Sequence, residues 1–247
     1  MRIRSIVGLL MLVFMLSGCT TKKDTNILEG DTHPYIGTKT ITIQSTDTPP
    51  KIDGKKDTVY KKVGRKIALN EFNKEYWEHS PMNDNADIYI TYDKEYMYLY
   101  ADVSDKEIDS SSSNILNKDN IAVFLDFNYI RQKVDYTNYF VNQIGYVTVA
   151  CDNTYTHDYA YQEQNYYSQL ACSSLVDEEA DKYTIEMRLP FLDGFSGEHI
   201  GFEVMNTDCS EGKPIGVRTW NIDGSQMTQY AHCAGTLEFE TNLWQPQ

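Results

Sequence analysis

The sequence predicts an all-β domain, an antiparallel β-sandwich or jelly-roll-like fold, from three observations. Apolar residues alternate with polar ones over short runs, polar turns separate those runs, and no amphipathic helix of three or more turns stands out. From Pro49-Pro50 onward about 200 residues carry this pattern, the size of a single all-β domain. No internal repeat is visible.

Asn70–Trp77 reads as one short helix, with Trp77 as a packing anchor. The next stretch, ADIYITYDKEYMYLYADVSD (86–105), is a hairpin. Ile88, Ile90 and Tyr92 alternate with Asp87, Tyr89 and Thr91. After the turn at Asp93-Lys94-Glu95, Met97, Leu99, Ala101 and Val103 alternate with Tyr96, Tyr98, Tyr100 and Asp102. A period of two gives the pair one continuous apolar face and puts Tyr96, Tyr98 and Tyr100 together on the other. That row reads as a sheet-stabilising ladder rather than a ligand platform. Ile121, Val123 and Leu125 alternate in the same way before Asp126. The remaining strand candidates are Tyr139–Ala150, Tyr167–Leu175, Tyr183–Leu189, Ile200–Asn206, Gly216–Trp220 and Gly235–Glu240.

The N-terminus speaks to location. Arg2 and Arg4 precede an apolar run from Ile6 to Leu16, which closes on Leu16-Ser17-Gly18-Cys19. A basic start, a short apolar stretch and small residues at its end read as a secretory signal, and the run is too short to span a bilayer as a mature helix. The last four residues resemble the lipobox of bacterial lipoproteins, with Cys19 as the lipidated residue. The organisation expected is a signal peptide at 1–18, a polar tether at 19–47, the sandwich at 48–241 and a tail at 242–247. The mature chain is then anchored by its lipid to the outer face of a bacterial membrane.

The whole chain carries a formal charge of −14. Loss of residues 1–18 removes two arginines and no acids, leaving 20 basic against 36 acidic residues, or −16. Such a balance repels phosphate backbones and anionic lipid, which argues against nucleic acid and against membrane contact other than through the lipid. Cys151, Cys172, Cys209 and Cys233 remain once Cys19 is set aside. In an oxidising compartment four cysteines allow three pairings. Cys151–Cys172 and Cys209–Cys233 are favoured, because each pair sits on strand-like segments expected to run side by side. There is no Cys-x-x-Cys spacing, which disfavours a metal site as the rival reading.

Four ordered stretches resemble the family 9 carbohydrate-binding modules of bacterial xylanases, a β-sandwich family. They are PKIDGKKDTVY (50–60); YDKEYMYLYADVSD (92–105) with DNIAVFLD (119–126); YTIEMRLPF (183–191) leading to IGFEV (200–204); and Trp220-Asn221 with GTLE (235–238). Tyr60 stands where a tryptophan is usual. The resemblance implies a β-sandwich that binds glycans without catalysis, and a structural calcium. It places the two sugar-sandwiching tryptophans at Leu116 and Thr228. The polar ligands, a glutamate, an arginine and a glutamine, fall at Ala122, Phe140 and Met205. None of the five is kept, so an altered site is expected. Asp105, Asp109, Asp119, Asp126, Asp135, Asp152 and Asp208 are the acids that could serve calcium, with no Asp-x-Asp-x-Asp-Gly run to fix a site.

A sugar site needs flat aromatic faces for C–H groups and a few polar groups for hydroxyls. Trp220, with Tyr230 and Phe140 nearby in the implied alignment, is one candidate. The loop YTHDYAYQEQNYY (155–167), with Tyr159 and Tyr161, is the other. A surface that engages another protein through the same loop is the alternative. A carbohydrate-active hydrolase finds little support: no recognisable carboxylate pair, Gly-x-Ser-x-Gly elbow or His-Glu-x-x-His is present. Met205 and His232 have no spacing that recommends them as haem ligands.

Overall fold

The computed structural model describes residues 36–71, 84–131, 143–193, 195, 197–221 and 231–240. Two sheets form the sandwich that the alternation predicts. The larger holds β1 (Thr40–Ile43), β5 (Asn120–Asp126), β6 (Ile144–Ala150), β7 (Tyr155–Tyr159), β10 (His199–Ser210), β11 (Lys213–Thr219) and β12 (Gly235–Phe239). The smaller holds β2 (Arg65–Ala68), β3 (Asn85–Tyr92), β4 (Tyr96–Ser104), β8 (Ala171–Asp177) and β9 (Lys182–Pro190). The orders are β1-β12-β10-β5-β6-β7, with β11 also on β10, and β2-β3-β4-β9-β8. Strand β10 is long enough to pair β12 through His199–Phe202 and β11 through Met205–Ser210. Its other edge is filled by β5. The β1–β12 pairing is parallel.

The core lies where the period of two put it. Ile88, Ile90, Tyr92, Met97, Leu99, Ala101 and Val103 are buried against Ile121, Val123, Leu125, Phe202 and Val204 of the opposite sheet. Burying each large apolar side chain contributes about 1.5–3 kcal/mol, which is why a short alternating pattern fixes the register so firmly.

The tyrosine ladder on the far face of β4 is itself covered. Tyr98 and Tyr100 are buried under Tyr60 from α1 (Thr58–Lys62), and the Tyr60 and Tyr100 ring centroids lie 5.4 Å apart. Glu186 on β9, opposite Tyr100, fastens the covering loop by accepting from Asp53 N, Gly54 N and Tyr60 Oη, each at 3.0 Å. Gly54 has φ +78°, and a Cβ there would meet Leu175 Cγ at 2.9 Å, so the Ile-Asp-Gly turn requires glycine. The ladder is structural.

Several expectations need correction. Residues 40–43 are not tether: Ile43 is buried, and β1 pairs with β12. Lys39 Nζ also donates to Trp220 O at 2.5 Å and pairs with Glu71 at 2.9 Å. A four-residue strand among threonines is too short to announce a face in sequence. Glu71 bridges to Thr219 rather than opening a helix, and residues 72–77 of the expected helix lie outside the described residues. The strand expected from Tyr167 starts instead at Ala171, after the helical turn α2 (Gln164–Tyr167). The signal segment, Cys19 and residues 241–247 also lie outside the described residues.

Neither favoured disulfide is formed, for Cys151, Cys172 and Cys209 are free thiols. Cys151 follows β6 in one sheet, whereas Cys172 pairs with Met187 in the other, so the two are not on neighbouring strands. Cys233 lies two residues before Gly235, which pairs with Phe202, and Cys209 is seven residues further along β10. At about 3.3 Å per residue seven residues are roughly 23 Å of strand, and the two residues before Gly235 recover at most about 7 Å of it, so the remaining ~16 Å is far beyond the 7 Å Cα limit for a disulfide.

Candidate functional site

Three features of the sandwich could carry function: an acidic cluster between the sheets, the outer face of the larger sheet, and an aromatic ledge at its β7 edge.

The acidic cluster forms where strand ends from both sheets meet. Asp105 follows β4, Asp119 precedes β5 and Asp208 lies near the end of β10; all three are buried, with one oxygen of each within 4.8 Å of the others. Asp119 Oδ1 accepts from Cys209 N at 2.7 Å, and Asp119 Oδ2 from Asp109 N at 2.6 Å. Asp105 Oδ1 accepts from Glu107 N at 2.8 Å, while its buried Oδ2 has no hydrogen-bond partner. Asp84, just before β3, accepts from Asn206 Nδ2. Burial first, and then the charge of Asp105, pushes Asp119 up to about 8. Burial, and then Asp208, pushes Asp84 up to about 7. The neighbouring Lys118 is committed elsewhere, to Asp152 at 2.5 Å. Buried carboxylates held this close need protons or a cation, and an all-oxygen donor set suits a hard divalent ion. The residues therefore fit the calcium that the sequence resemblance implies.

The other acids put forward for calcium do different work. Asp126 accepts from Ile130 N and Arg131 N at 3.0 and 3.2 Å, and Asp109 accepts from Ser111 N and Gly212 N at 2.8 and 2.6 Å. Asp135 lies outside the described residues.

On the outer face of the larger sheet, Met205 pairs with Ala122, and Ala122 with Thr148, in one row across β10, β5 and β6. Leu116, in the turn Ile115–Asn117, is 49% exposed. Where the resemblance puts a tryptophan, a glutamate and a glutamine, the chain carries aliphatic side chains: Leu116 is exposed, Ala122 is buried, and Met205 packs against the buried Phe124 cluster. Phe140, Thr228 and Tyr230 lie outside the described residues. Trp220 is not a sugar plate. It is only 6% exposed, packs its ring 5.8 Å from that of Phe202, and donates its backbone N–H to Glu203 Oε1 at 2.7 Å. Glu203, buried on β10, also accepts from Asn221 Nδ2 at 2.9 Å. Burial pushes Glu203 up to about 8, against the pull of these donors. Sequence reading passed over Glu203 because a lone glutamate in a strand has no local signature.

The tyrosine loop divides. Tyr161 is buried, donates its hydroxyl to Pro190 O at 2.9 Å and stands edge-on to Phe127 at 6.4 Å. Its ring lies over Gly145, where a Cβ would come within 2.6 Å. Tyr161 is therefore core and not a ligand contact. Tyr159 ends β7. Tyr155 and Tyr167 are instead the exposed members, at 40% and 39%. The His157 ring lies 4.4 Å from Tyr167 and 6.5 Å from Tyr155, beside a groove of about 390 Å³. Within that loop, the period of β7, unmarked in the sequence, decides which tyrosines face solvent.

Comparison with known proteins places this architecture. The model of the carbohydrate family 9 binding domain-like family matches residues 52–240. Exoglucanase XynX of Acetivibrio thermocellus is 30% identical over 174 residues, and endo-1,4-beta-xylanase A of Thermoanaerobacterium saccharolyticum is 29% identical over 174. Each match covers 69% of this chain but 14% of the relative, so the chain spans a small part of either enzyme's length. A family 9 carbohydrate-binding module from Caldicellulosiruptor kristjanssonii, solved with cellotriose, superposes with a TM-score of 0.68 at 18% identity, over 85% of this chain and 99% of that one. The same module solved with glucose gives the same TM-score and identity.

Proposed function

We infer that this chain, which belongs to the carbohydrate family 9 binding domain-like family, binds a neutral glycan and does not transform it. The observation that carries the reading is the family match, which spans residues 52–240 and so takes in both sheets from the Ile-Asp-Gly turn to the end of β12. The structural relatives bind glucose and cellotriose, and the sequence relatives are an exoglucanase and a xylanase. A β-linked glucan or xylan is therefore the ligand class to test. The net charge of −14 favours a neutral polymer over an anionic one. Leu116, Ala122 and Met205 make the implied sugar pocket aliphatic, so affinity has to come from aromatic surface elsewhere or from a changed mode of contact.

Two further parts belong to the same proposal. Asp105, Asp119 and Asp208 would hold a structural calcium that ties the β4, β5 and β10 ends together. Cys19 would carry a lipid that keeps the sandwich at the cell surface, bringing the glycan to the membrane rather than to a catalytic site of its own.

Calorimetry of the soluble chain from Thr20, with calcium present, tests the binding reading against glucose, cellotriose and xylotriose. Saturable heat with at least one of them, and no release of reducing sugar on long incubation, is expected. No heat with any of the three, nor retention on insoluble cellulose or xylan, would turn the interpretation towards a module that recognises protein.

A further inference from the structure

We propose that Tyr155, His157 and Tyr167 form an aromatic platform on which pyranose rings of a neutral β-linked glycan stack, along the free edge of β7. The proposal rests on the glycan-binding reading and says where the sugar sits.

The platform arises from a mismatch between the sheets. Tyr155 pairs with Val149, and His157 with Val147, so both share the inward face of the larger sheet. Val147 and Val149 are buried against the smaller sheet. One strand further out, Tyr155 keeps 40% of its surface exposed, while Tyr161, from the next turn, fills the space over Gly145. The result is an overhanging ledge. Tyr167, at the end of α2, closes over it at 32° to the His157 ring, and it remains 39% exposed.

Among the described residues, Tyr155 and Tyr167 are the two exposed aromatic side chains, and they converge from separate elements on one groove. A tyrosine at a strand edge costs little to cover with a lysine stem or a second aliphatic residue, yet here two rings lie open together beside the half-buried His157 imidazole. Asn153, Thr154 and Thr156 add hydrogen-bonding groups to the rim. Rings that accept sugar C–H faces, bordered by small polar groups, are the composition that recognises a neutral saccharide. Asp158, exposed within β7, disfavours uronic-acid polymers.

The test is calorimetry of the soluble chain with cellohexaose and with xylohexaose, for the native protein, Tyr155→Ala/Tyr167→Ala and Tyr155→Phe/Tyr167→Phe. The double alanine variant should lose at least about tenfold in affinity, while the double phenylalanine variant, which keeps the rings, should stay close to native. In parallel, amide chemical-shift changes on titrating the native protein should centre on Thr154–His157. Native binding that persists unchanged in the double alanine variant, or shifts confined to other strands, would overturn the platform and leave glycan binding standing. No binding by the native protein to either hexasaccharide would overturn both. Should the alanine variant not fold, the shift map of the native protein decides alone.

Discussion

The hydroxyl of Tyr60 donates to Glu186 Oε1 across 3.0 Å of buried space, joining a helix near the start of the domain to a strand 126 positions later. Glu186 holds two backbone N–H groups of the Ile-Asp-Gly turn as well, so one carboxylate fixes the lid over the tyrosine ladder. Tyr60→Phe should cost about 1–2 kcal/mol in urea unfolding with the slope unchanged, because it removes one buried hydrogen bond and keeps the ring. A loss below 0.3 kcal/mol would mean that the two backbone donors suffice.

Burial, the leading cause, pushes Glu186 up to about 7 from an ordinary value of 4.5. The folded protein then holds a proton that the unfolded chain releases. The group's contribution is present below pH 4.5 and is lost as pH rises through 7. Glu186→Gln should remove on the order of 2 kcal/mol of the stability change between pH 5 and 7. Parallel profiles for the two proteins would show that Glu186 does not titrate in that window.

The cation reading predicts linked behaviour. With Asp119 pushed up to about 8 and Asp84 to about 7, the metal-free protein should lose stability as pH rises from 4 to 8, and calcium should restore most of it at the upper end. Differential scanning fluorimetry with and without chelator should therefore show a calcium-dependent rise in Tm that is larger at pH 7.5 than at pH 5. Asp105→Asn should abolish it. An equal response in that variant would place the ion elsewhere.

Trp220 and Tyr161 are structural. Trp220→Ala and Tyr161→Ala should each destabilise the fold by about 3–5 kcal/mol, the range for truncating buried aromatics. Any weakening of sugar binding should follow the unfolded fraction, and affinity measured well below the Tm should equal that of the native protein.

Cys209 and Cys233 should never be recovered in one linked peptide. Alkylation under denaturing, non-reducing conditions followed by digestion reads this directly. A Cys209–Cys233 peptide in protein that is native by circular dichroism would contradict the register of β10 and β12.

Much of the fold was legible because burial repeats at the period of a strand. The hairpin through Ile88 and Leu99 and the run Ile121-Val123-Leu125 declare which side faces the core, and the pairings follow. Long-range closure was not legible in the same way. Glu186 and Glu203 are single acids inside strands, and only the fold shows which backbone donors reach them. The proposed platform was half visible. The Tyr155–Tyr167 loop stood out by composition, yet exposure there depends on β7 overhanging a narrower sheet, which is a property of two sheets and of no single segment. The acids at 105, 119 and 208 are far apart in the chain and meet only because strand ends converge.

The parallel pairing of β1 with β12 also decides where this protein can be cut. The family match begins at residue 52, and a truncation guided by it would discard Thr40–Ile43 while keeping every other strand. Strand β12 would then carry a bare row of N–H and C=O groups beside the buried Leu237 and Phe239, an invitation to pair with the next molecule. Four residues upstream of the recognisable domain thus serve as its selvedge, and a shortened protein that precipitates would owe that failure to a missing border rather than to an unstable interior.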